Sequence, residues 1–421
     1  MVAIAMAVAS AETARAMPAQ RGASRGFVQN EHCRVTEAAL APLHVVDYAA
    51  VMTRLWPGKG QTETMDTMTH TDASAPLLGF WYPALLSKAV RPGQMQAQTL
   101  LDVPLLVCRD RQGRVAVLRD LCPHRAMPLS FGRFDGRHVE CPYHGWQFDL
   151  DGRCQQIPAL PQDSTVAVDK IGVRTYPACD QDGYVWVYMP DADGLPSTLP
   201  AVPTLPVLSA TYRMLHIATT LTCTIDHGIV GLMDPAHGPF VHQSVWWRTR
   251  ASIHDKVKVF EPLPAGFRMR PHRPSRNSAP YKLLGLTGTP VTTTIDFLLP
   301  NLRLELVEAG RWWFSSRATV TPITATQCRI DFCAAWNCFR WLPLFTPLVR
   351  GFARMFLQQD KRAMERQALG LRSTSSMMLL GDADMPARWY FRLKAAHRAA
   401  RQHGGPLQHP LTEPVTLRWR S

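Results

Sequence analysis

The sequence has no apolar run long enough to cross a membrane. The longest runs, near residues 1–11 and 341–349, are shorter than the roughly 18–20 apolar residues that a spanning helix requires. The first run is followed by Glu12 and lacks a preceding basic segment, which makes it a poor signal peptide. We therefore expect no transmembrane segment.

Cysteines and clustered charges are also scarce. Ten cysteines among 421 residues are too few for a disulfide-stapled scaffold and fit a reducing compartment. The formal net charge is +13, but no run of five basic residues occurs. The densest basic segment, residues 388–401, has helical spacing, and we interpret it as a solvated helix face suited to docking an acidic protein. No nucleic-acid partner is expected.

The composition is that of a globular protein, with 46% hydrophobic and 19% charged residues. The length predicts two or three domains. Residues 1–75 are rich in Ala, Met and Thr and end in a polar stretch, which predicts an N-terminal extension of low order. Residues 403–421 are assigned to a C-terminal tail.

Between these ends the pattern predicts an α+β protein with two domains. Over residues 76–190, short β-branched runs at 103–108, 115–118, 172–175 and 184–189 alternate with turn residues and predict an all-β domain. Over residues 191–402, alternating segments at 291–299, 302–307, 312–321 and 328–336 predict an antiparallel sheet. Helices are predicted to flank this sheet at residues 343–371 and 386–402.

Two cysteine–histidine pairs lie in the predicted all-β domain. Cys122-Pro-His124 is followed, after sixteen residues, by Cys141-Pro-Tyr-His144. A zinc finger would place its two cysteines together and its two histidines together. Here each loop offers one of each, which suits a two-iron cluster with both cysteines on one iron and both histidines on the other.

The loops that carry these pairs contain proline and glycine. Pro123 and Pro142 stiffen the chain beside the ligand positions. Gly132 and Gly145 are expected to adopt a positive φ where the chain turns tightly. The alternative interpretation is a set of buried cysteines and hydrogen-bonded histidines without a metal.

A second motif, IDHGIVGLMDPAHGPFVH, contains Asp234, His237 and His242. Asp234 and His237 are three residues apart and are predicted to share a helical face. His242 would be turned away by about 140° on an ideal helix, but Pro239 disfavours a regular helix at that point. Two imidazoles and one carboxylate are the ligand set of mononuclear Fe(II) oxygenases. Taken singly, Asp234 also suits a helix N-cap and each histidine a core position.

With both motifs present, the chain resembles the Rieske non-haem iron oxygenases, in particular their demethylase and monooxygenase branch. The resemblance begins at GFWYP, residues 79–83, and extends to about residue 400. It assigns four ligands of a [2Fe-2S] cluster to the first motif: Cys122, His124, Cys141 and His144.

The resemblance also implies roles in the second motif. His237 and His242 correspond to ligands of a mononuclear Fe(II). Asp234 corresponds to the carboxylate that links His237 to His144 of a neighbouring subunit and carries electrons between the centres. Many family members have Glu-Asn before this motif, whereas this chain has Asp226-His227, which departs from the family's pattern around the ligands.

The third iron ligand must be a carboxylate from elsewhere in the chain. The segment FLQQDKRAMERQ is similar to the family's D-x4-E segment, which makes Asp360 the expected ligand. Glu365, with Arg362 and Arg366 beside it, is better explained as an acid on a solvated helix face. Two further acids, Glu305 and Glu308, are outside candidates.

The resemblance implies an oxygenase that uses O2 and electrons supplied by a separate reductase or ferredoxin. The chain has no clear dinucleotide or flavin motif, so NAD(P)H would act only through that partner. A homotrimer is expected, in the cytoplasm or peripheral to the inner membrane if the substrate is lipidic. The leading activity is hydroxylation or oxidative demethylation of a small but bulky apolar substrate, aromatic or sterol-like.

Three alternatives remain open. One is a ring-hydroxylating cis-dioxygenase α subunit, and another is a Rieske electron carrier without oxygen chemistry. The third is a membrane-associated scaffold that uses residues 341–356 as an interfacial segment. Apolar side chains between residues 270 and 340 are expected to line a substrate pocket or to form sheet core: Leu284, Leu286, Phe297, Leu298, Leu299, Trp312, Trp313 and Phe314.

Overall fold

The computed structural model describes residues 67–69 and 75–421, except 192–193, 244–249, 275–283, 286–287 and 375. All described residues belong to one compact unit, Thr64–Ser421. Of the predicted N-terminal extension, residues 1–66 and 70–74 lie outside the described residues. Residues Thr67–Thr69 form a strand, β1, which pairs with strand Ser376–Met378 (β20) far along the chain.

The first half of the described chain is all β, as the sequence predicts. It contains β2 (Phe80–Leu86), β3 (Gln94–Leu100), β4 (Val103–Arg109), β5 (Val115–Arg119), β6 (Arg133–Phe134), β7 (His138–Glu140), β8 (Gln147–Asp149), β9 (Cys154–Gln156), β10 (Thr175–Tyr176), β11 (Ala178–Gln181) and β12 (Tyr184–Met189). They form three antiparallel sheets of order β10-β5-β4-β3, β11-β12-β2 and β6-β7-β8-β9. The predicted strand at 172–175 is reduced to an isolated bridge at Gly172 and the start of β10.

The predicted hairpin joins β4 and β5. The Asp110 carboxylate accepts a hydrogen bond from the Arg114 amide at 2.8 Å, and the Gly113 amide donates to the Asp110 carbonyl at 3.1 Å. An aspartate that closes a turn on its own backbone is a common way to start such a turn. The short polar turn leaves β4 and β5 in register, so paired side chains such as Leu106 and Leu118 face one core and Val107 and Val117 face another.

The second half is built on one eight-stranded antiparallel sheet. Its strands are β13 (Arg213–Leu221), β14 (Asp255–Leu263), β15 (Gly266–His272), β16 (Thr292–Leu298), β17 (Leu302–Ala309), β18 (Trp312–Thr324), β19 (Gln327–Trp336) and β21 (Val415–Arg420), in the order β13-β19-β18-β17-β16-β15-β14-β21. The last strand falls in the segment assigned to a tail. Its alternating Leu417 and Trp419 are buried, so the chain end completes the sheet.

Four helices accompany this sheet in the described part of the chain: α1 (Ile225–Met233), α2 (Gly238–Val241), α3 (Phe345–Gly370) and α4 (Gly381–His403). Helix α4 begins five residues before its predicted start because Pro386 lies inside it rather than at its first turn. No helix among these described residues is long and apolar enough to cross a bilayer.

The large sheet is the middle layer of the molecule and is buried on both faces. On one face, Phe314 and Trp336 belong to the apolar core that the helices share. On the other face, Trp313 and Cys333 pack with Trp186 of β12 in the first domain. Alternation along β18 and β19 therefore supplies two separate cores from one sheet, as expected for strands whose side chains point to opposite faces.

The predicted solvated basic face over residues 388–401 is wrong. Arg388 and Lys394 are buried, at 9% and 2% relative exposure. Arg398 donates to the Ala75 carbonyl and Arg401 pairs with the Asp191 carboxylate. Helical spacing of basic residues does not show whether their side chains face solvent or buried partners. Here several of these side chains bind groups from distant segments of the chain.

Lys394 pairs with a buried acid on helix α1. Its ammonium lies 2.6 Å from the Asp226 carboxylate, which also accepts a hydrogen bond from the Tyr390 hydroxyl at 2.5 Å. Asp226 is 4% exposed. Burial lowers the pKa of Lys394, and Asp226 opposes that shift. This cluster ties the first turn of α1 to α4 and fixes where α1 lies on the sheet.

We predict that Lys394→Met lowers the free energy of unfolding by about 3–5 kcal/mol, because it leaves the Asp226 carboxylate buried without its counter-charge. Urea unfolding followed by tryptophan fluorescence measures this loss. A matched Lys394→Met/Asp226→Leu variant removes both charges and should lose less than the sum of the single variants. Wild-type stability for Lys394→Met would contradict a stabilising role for the contact between Lys394 and Asp226.

Candidate metal centres

The two cysteine–histidine loops have the same backbone hydrogen bonds. The amide of Cys122 donates to the Met127 carbonyl at 2.8 Å, and the amide of Ala126 donates back to the Cys122 carbonyl at 2.9 Å. Cys141 makes the corresponding pair with Trp146 at 2.8 Å and with Gly145 at 3.0 Å. Each cysteine thus begins a tight turn. The residue four positions after the cysteine has a positive φ, 55° at Ala126 and 70° at Gly145.

The four side chains of these loops lie together at one end of the domain. Cys122 and Cys141 are each 2% exposed, and besides burial the interaction with Cys141 helps to raise the pKa of the Cys122 thiol. The rings of His124 and His144 are 4.6 Å apart between centroids. His124 is exposed and His144 partly so, and Trp146 stacks on the ring of His124 at 4.7 Å.

This arrangement fits a [2Fe-2S] cluster held by both loops. The two thiols are inside and the two imidazoles are outside, which matches one iron bound by cysteines and one by histidines. Burial raises the pKa of the Cys122 thiol to about 11. Ligation must therefore displace a proton from that thiol, because iron binds the thiolate.

Gly132 does not have the predicted positive φ; its φ is −88°. Glycine is required there for space instead, since a Cβ would lie 1.9 Å from the Glu140 carbonyl oxygen. Gly145 has the predicted conformation. The close approach of Gly132 to the strand that leads into Cys141 draws the two loops toward each other.

The second motif does not form one continuous helix. Helix α1 ends at Met233, and Asp234 is extended, with φ −62° and ψ 116°. The Asp234 carboxylate accepts a hydrogen bond from the Ala236 amide at 2.7 Å, which stabilises a turn before the short helix α2. The prediction that Asp234 and His237 share a helical face is therefore wrong. They face each other across this turn, at the N-terminal end of α2.

His237 and His242 flank α2, and Asp360 reaches them from α3. The Nε2 atoms of the two histidines are 3.1 Å apart. The Asp360 carboxylate oxygen lies 3.0 Å from Nε2 of His242 and 3.6 Å from Nε2 of His237. These atoms form a group able to hold a metal ion, within the described residues.

The spacing of these atoms fits one metal with three adjacent ligands. Ligands about 2.1 Å from a metal and at right angles to one another lie about 3.0 Å apart. The observed separations of 3.0, 3.1 and 3.6 Å are close to that value. Two imidazoles and one carboxylate on one side of an ion leave the opposite side open, as in non-haem iron oxygenases.

Each histidine presents Nε2 to the centre and has a side-chain oxygen facing its other nitrogen. Nδ1 of His237 is 3.6 Å from the Asp234 carboxylate, and Nδ1 of His242 is 3.0 Å from the Gln359 side-chain oxygen. Burial lowers the pKa of His237, but Asp234 and Asp360 outweigh it, so that pKa lies above its usual value. Phe356 stacks on the His242 ring at 3.5 Å between centroids.

Sequence reasoning missed Gln359 and Phe356. Both lie on α3 beside Asp360, at positions where glutamine and phenylalanine would be ordinary helix residues. Phe356, four residues before Asp360, was available as a signal because i and i+4 side chains share a helix face, whereas the adjacent Gln359 was not. Which of them contacts a histidine depends on the packing of α3 against α2.

The other candidate acids and histidines lie elsewhere. His227 is in the first turn of α1, with its ring nitrogen 3.2 Å from the Thr224 hydroxyl. Glu365 is partly exposed on α3, as expected of an acid that does not bind the metal, and it accepts hydrogen bonds from the Thr222 amide and from Lys361, both at 3.0 Å. Glu305 pairs with Arg303 on β17, and Glu308 lies on the same strand.

Several residues expected to line a pocket are sheet core. Phe297 packs against Phe267, with ring centroids 5.1 Å apart, and both belong to the core shared with the helices. Trp313 lies in the core between the sheet and the first domain. Leu284 and Leu299 belong to the core shared with the helices, and Trp312 and Phe314 pack against that core. Leu298 packs against the core between the sheet and the first domain. Leu286 lies outside the described residues.

Comparison with known proteins agrees with both halves of this picture. Residues 80–177 match the Rieske [2Fe-2S] domain, and residues 224–400 match the vanillate O-demethylase oxygenase C-terminal domain. The chain belongs to the Rieske non-haem iron oxygenases. The first match contains the four cluster-ligand candidates and the second contains the three-residue metal group, so the family implies both a [2Fe-2S] cluster and a mononuclear iron.

Individual relatives match parts of the chain. Chlorophyllide a oxygenase of Chlamydomonas reinhardtii is 35% identical over 176 residues, which is 41% of this chain and 25% of that protein. Dicamba O-demethylase of Stenotrophomonas maltophilia, oxygenase component, is 32% identical over 165 residues, 39% of this chain and 47% of that one. The chain thus spans about a quarter to a half of these relatives.

A solved structure shares the fold. The crystal structure of dicamba monooxygenase bound to dicamba covers 77% of this chain and 100% of its own, with a TM-score of 0.63 and 22% sequence identity. At this identity the likeness shows the architecture. The all-β domain and the sheet-and-helix domain of this chain thus share their fold with that structure.

The matching loops allow a paired test of backbone strain. We predict that Gly145→Ala destabilises the Rieske domain by about 1–2 kcal/mol, because alanine disfavours a positive φ and Pro158 lies 3.2 Å from the new Cβ. Ala126→Gly, at the equivalent position, should be neutral or stabilising. Loss of the visible cluster absorbance on heating measures both. Equal melting of the two variants would contradict a strained loop.

Proposed function

We propose that this chain is the oxygenase component of a two-centre system that hydroxylates or oxidatively demethylates a bulky apolar substrate. One observation carries the proposal: a single chain presents a Cys2His2 loop pair suited to a [2Fe-2S] cluster and a separate His2Asp group with an open side. An electron carrier would need the first group alone. When bound, the mononuclear iron supplies O2 activation, and the cluster supplies electrons one at a time.

The protein groups divide the remaining tasks. Cys122, His124, Cys141 and His144 are proposed to hold the cluster, and His237, His242 and Asp360 the iron. The Asp234 carboxylate lies 3.6 Å from Nδ1 of His237, and we propose that this pairing keeps Nε2 of His237 directed to the centre. We propose the same carboxylate as the link through which electrons reach the iron site.

The proposed link requires a second copy of the chain. The Asp234 side chain is 35% exposed, and the His144 side of the loops also reaches the surface. Two surface groups can meet when copies pack head to tail, and a closed ring follows if the rotation closes. We propose a homotrimer of this kind, supplied by a separate reductase or ferredoxin that takes electrons from NAD(P)H.

The substrate class rests on the relatives and on the chemistry of the site. A 4β-methylsterol monooxygenase of Methylococcus capsulatus is 35% identical over 129 residues. Dicamba O-demethylase and chlorophyllide a oxygenase carry names of other apolar, ring-bearing substrates. Phe356 beside His242 brings an aromatic surface to the metal group. A methyl group on such a ring system is the proposed point of attack.

Iron content and electron paramagnetic resonance (EPR) test the two centres separately. Wild type should show a Rieske-type signal after dithionite reduction. His237→Ala and Asp360→Ala should keep that signal and lose one iron per chain, because each removes a ligand of the mononuclear site alone. Iron is measured anaerobically, with Glu365→Gln on the same helix as the control.

Two outcomes would overturn the proposal. Equal iron content in wild type and His237→Ala would leave an electron carrier, and zinc in place of iron would remove both centres. Substrate-dependent O2 uptake with a chemical electron donor then tests the activity, using methylated sterols and methoxylated aromatics.

Gln359 should hold His242 in the ligating orientation. We predict that Gln359→Leu weakens Co(II) or Fe(II) binding to the mononuclear site by about 10–100-fold, as for other residues that orient metal-bound histidines. The neighbouring Gln358→Leu is the control, since Gln358 bonds Thr219 instead. Titration of Co(II) followed by its visible absorption measures both variants. Equal affinities would show that Phe356 packing alone positions His242.

A further inference from the structure

Four large apolar side chains are exposed at the start of helix α3. Trp341, Leu344, Leu348 and Met355 are 78%, 72%, 62% and 42% exposed. With about 100° per residue, Leu344, Leu348 and Met355 lie within about 40° of one another around the helix axis. We call these four residues the α3 stripe. An ordered row of this size differs from the scattered single apolar residues of an ordinary surface.

The α3 stripe lies opposite the face that holds the helix in place. Ala353, Leu357 and Met364 are buried, and Phe345 and Val349 pack against the same core. Helix α3 therefore has a complete core-facing side without the stripe. Exposure of the stripe is not the result of a missing contact within the described fold.

The charges around the α3 stripe all have one sign. Residues 332–359 contain no Asp or Glu, and they contain Arg340, Arg350 and Arg354. Arg340 and Arg354 are exposed and Arg350 is half-buried. Among the described residues, no carboxylate pairs with these three guanidinium groups. A tryptophan and leucine row with arginine flanks is typical of helices that lie in the interface of an anionic membrane.

We propose that the α3 stripe docks this protein onto an anionic lipid surface. Two copies related by a two-fold axis through the stripe would bring their arginines together without acids from either segment, which disfavours a stripe-to-stripe dimer. An acidic protein would satisfy the arginines but leaves the four apolar side chains unexplained. A lipid surface accommodates both features, with apolar side chains among the acyl chains and arginines at the headgroups.

If the proposed function holds, the position of the α3 stripe would bring the metal group close to a substrate in the membrane. Leu348 and Asp360 are on the same helix, twelve residues apart, or about 18 Å along its axis. Docking therefore holds the metal group close to the membrane surface. An apolar substrate dissolved in lipid would then have a short path to the site.

Flotation of the full-length holoprotein tests the proposal. The probes are vesicles of phosphatidylcholine alone and of equal parts phosphatidylcholine and phosphatidylglycerol. Wild type should float with the anionic vesicles and much less with the neutral ones, and about 1 M salt should weaken binding by screening the arginines. Leu344→Glu/Leu348→Glu should lower the bound fraction about tenfold, since it places charges in the apolar row.

Leu369→Glu is the matched control, because Leu369 is 56% exposed at the other end of the same helix. It should float as wild type does. Arg350→Gln/Arg354→Gln should lose the preference for anionic vesicles. The Rieske EPR signal and thermal melting of each variant show that it is folded, and a missing signal in wild type would count against the proposed function and not against docking.

Three results would overturn the proposal. Wild type that stays at the bottom of the gradient with anionic vesicles has no such surface. Equal flotation of Leu344→Glu/Leu348→Glu and wild type would place the binding elsewhere in the chain. A change of oligomeric state in that variant, on size-exclusion chromatography with light scattering, would make the stripe a subunit interface.

Discussion

The break in the helix between Met233 and Gly238 is the constraint on which the metal site depends. Had α1 continued, His242 would point away from His237, as the helical period requires. Instead Asp234 closes a turn on the Ala236 amide, and α2 starts in a new direction. The same carboxylate faces Nδ1 of His237, so one side chain both makes the break and orients the first ligand.

The break is useful only because α1 and α3 are fixed on the same sheet. Asp226, Tyr390 and Lys394 anchor the start of α1 to α4. Glu365 anchors α3 to the end of β13 through the Thr222 amide. The first contact lies at the far end of α1 from the ligands, and the second lies five residues beyond Asp360 on α3. The packing of the helices on the sheet can therefore keep the ligand atoms of His237, His242 and Asp360 within 3.0–3.6 Å of one another.

The sheet also sets the relation between the two centres within one chain. Its second face is occupied by aromatic side chains of the Rieske domain, such as Trp186 packed with Trp313. Arg329 adds hydrogen bonds to the carbonyls of Pro83 and Ala84, at 2.9 and 3.0 Å. The Rieske domain and the metal-bearing helices thus lie on opposite faces of one sheet. This separation is the physical reason to look to a neighbouring copy for the electron path.

Much of this was predictable because the signals are local. Helix α3 was predicted at 343–371 and runs Phe345–Gly370, and the strands β12, β17 and β19 were predicted within about two residues at each end. An amphipathic period or alternation over ten residues reports burial directly. The cysteine–histidine pairs were equally visible, because both ligands of each loop are neighbours in sequence.

The features that sequence reasoning missed depend on partners distant in the chain. Strand β21 is six residues long and pairs with β14, about 160 residues earlier, so its short alternation carried little weight. Lys394 has the helical spacing of a solvent-facing cation, and only the position of Asp226 shows that it is buried. Gln359 has no local signal for its contact with His242.

Asp360 was predicted from the sequence, but its selection over Glu365 depends on the packing of α3. Its identity as a candidate came from resemblance to a D-x4-E segment, not from any pattern that distinguishes it from Glu365. The structure separates the two acids by one helical property: residues five apart differ by about 140° around the axis. Asp360 therefore faces His242, while Glu365 turns to Lys361 and the Thr222 amide. Once α3 packs on the sheet, the rotation of α3 about its own axis determines which of the two carboxylates lies beside His237 and His242.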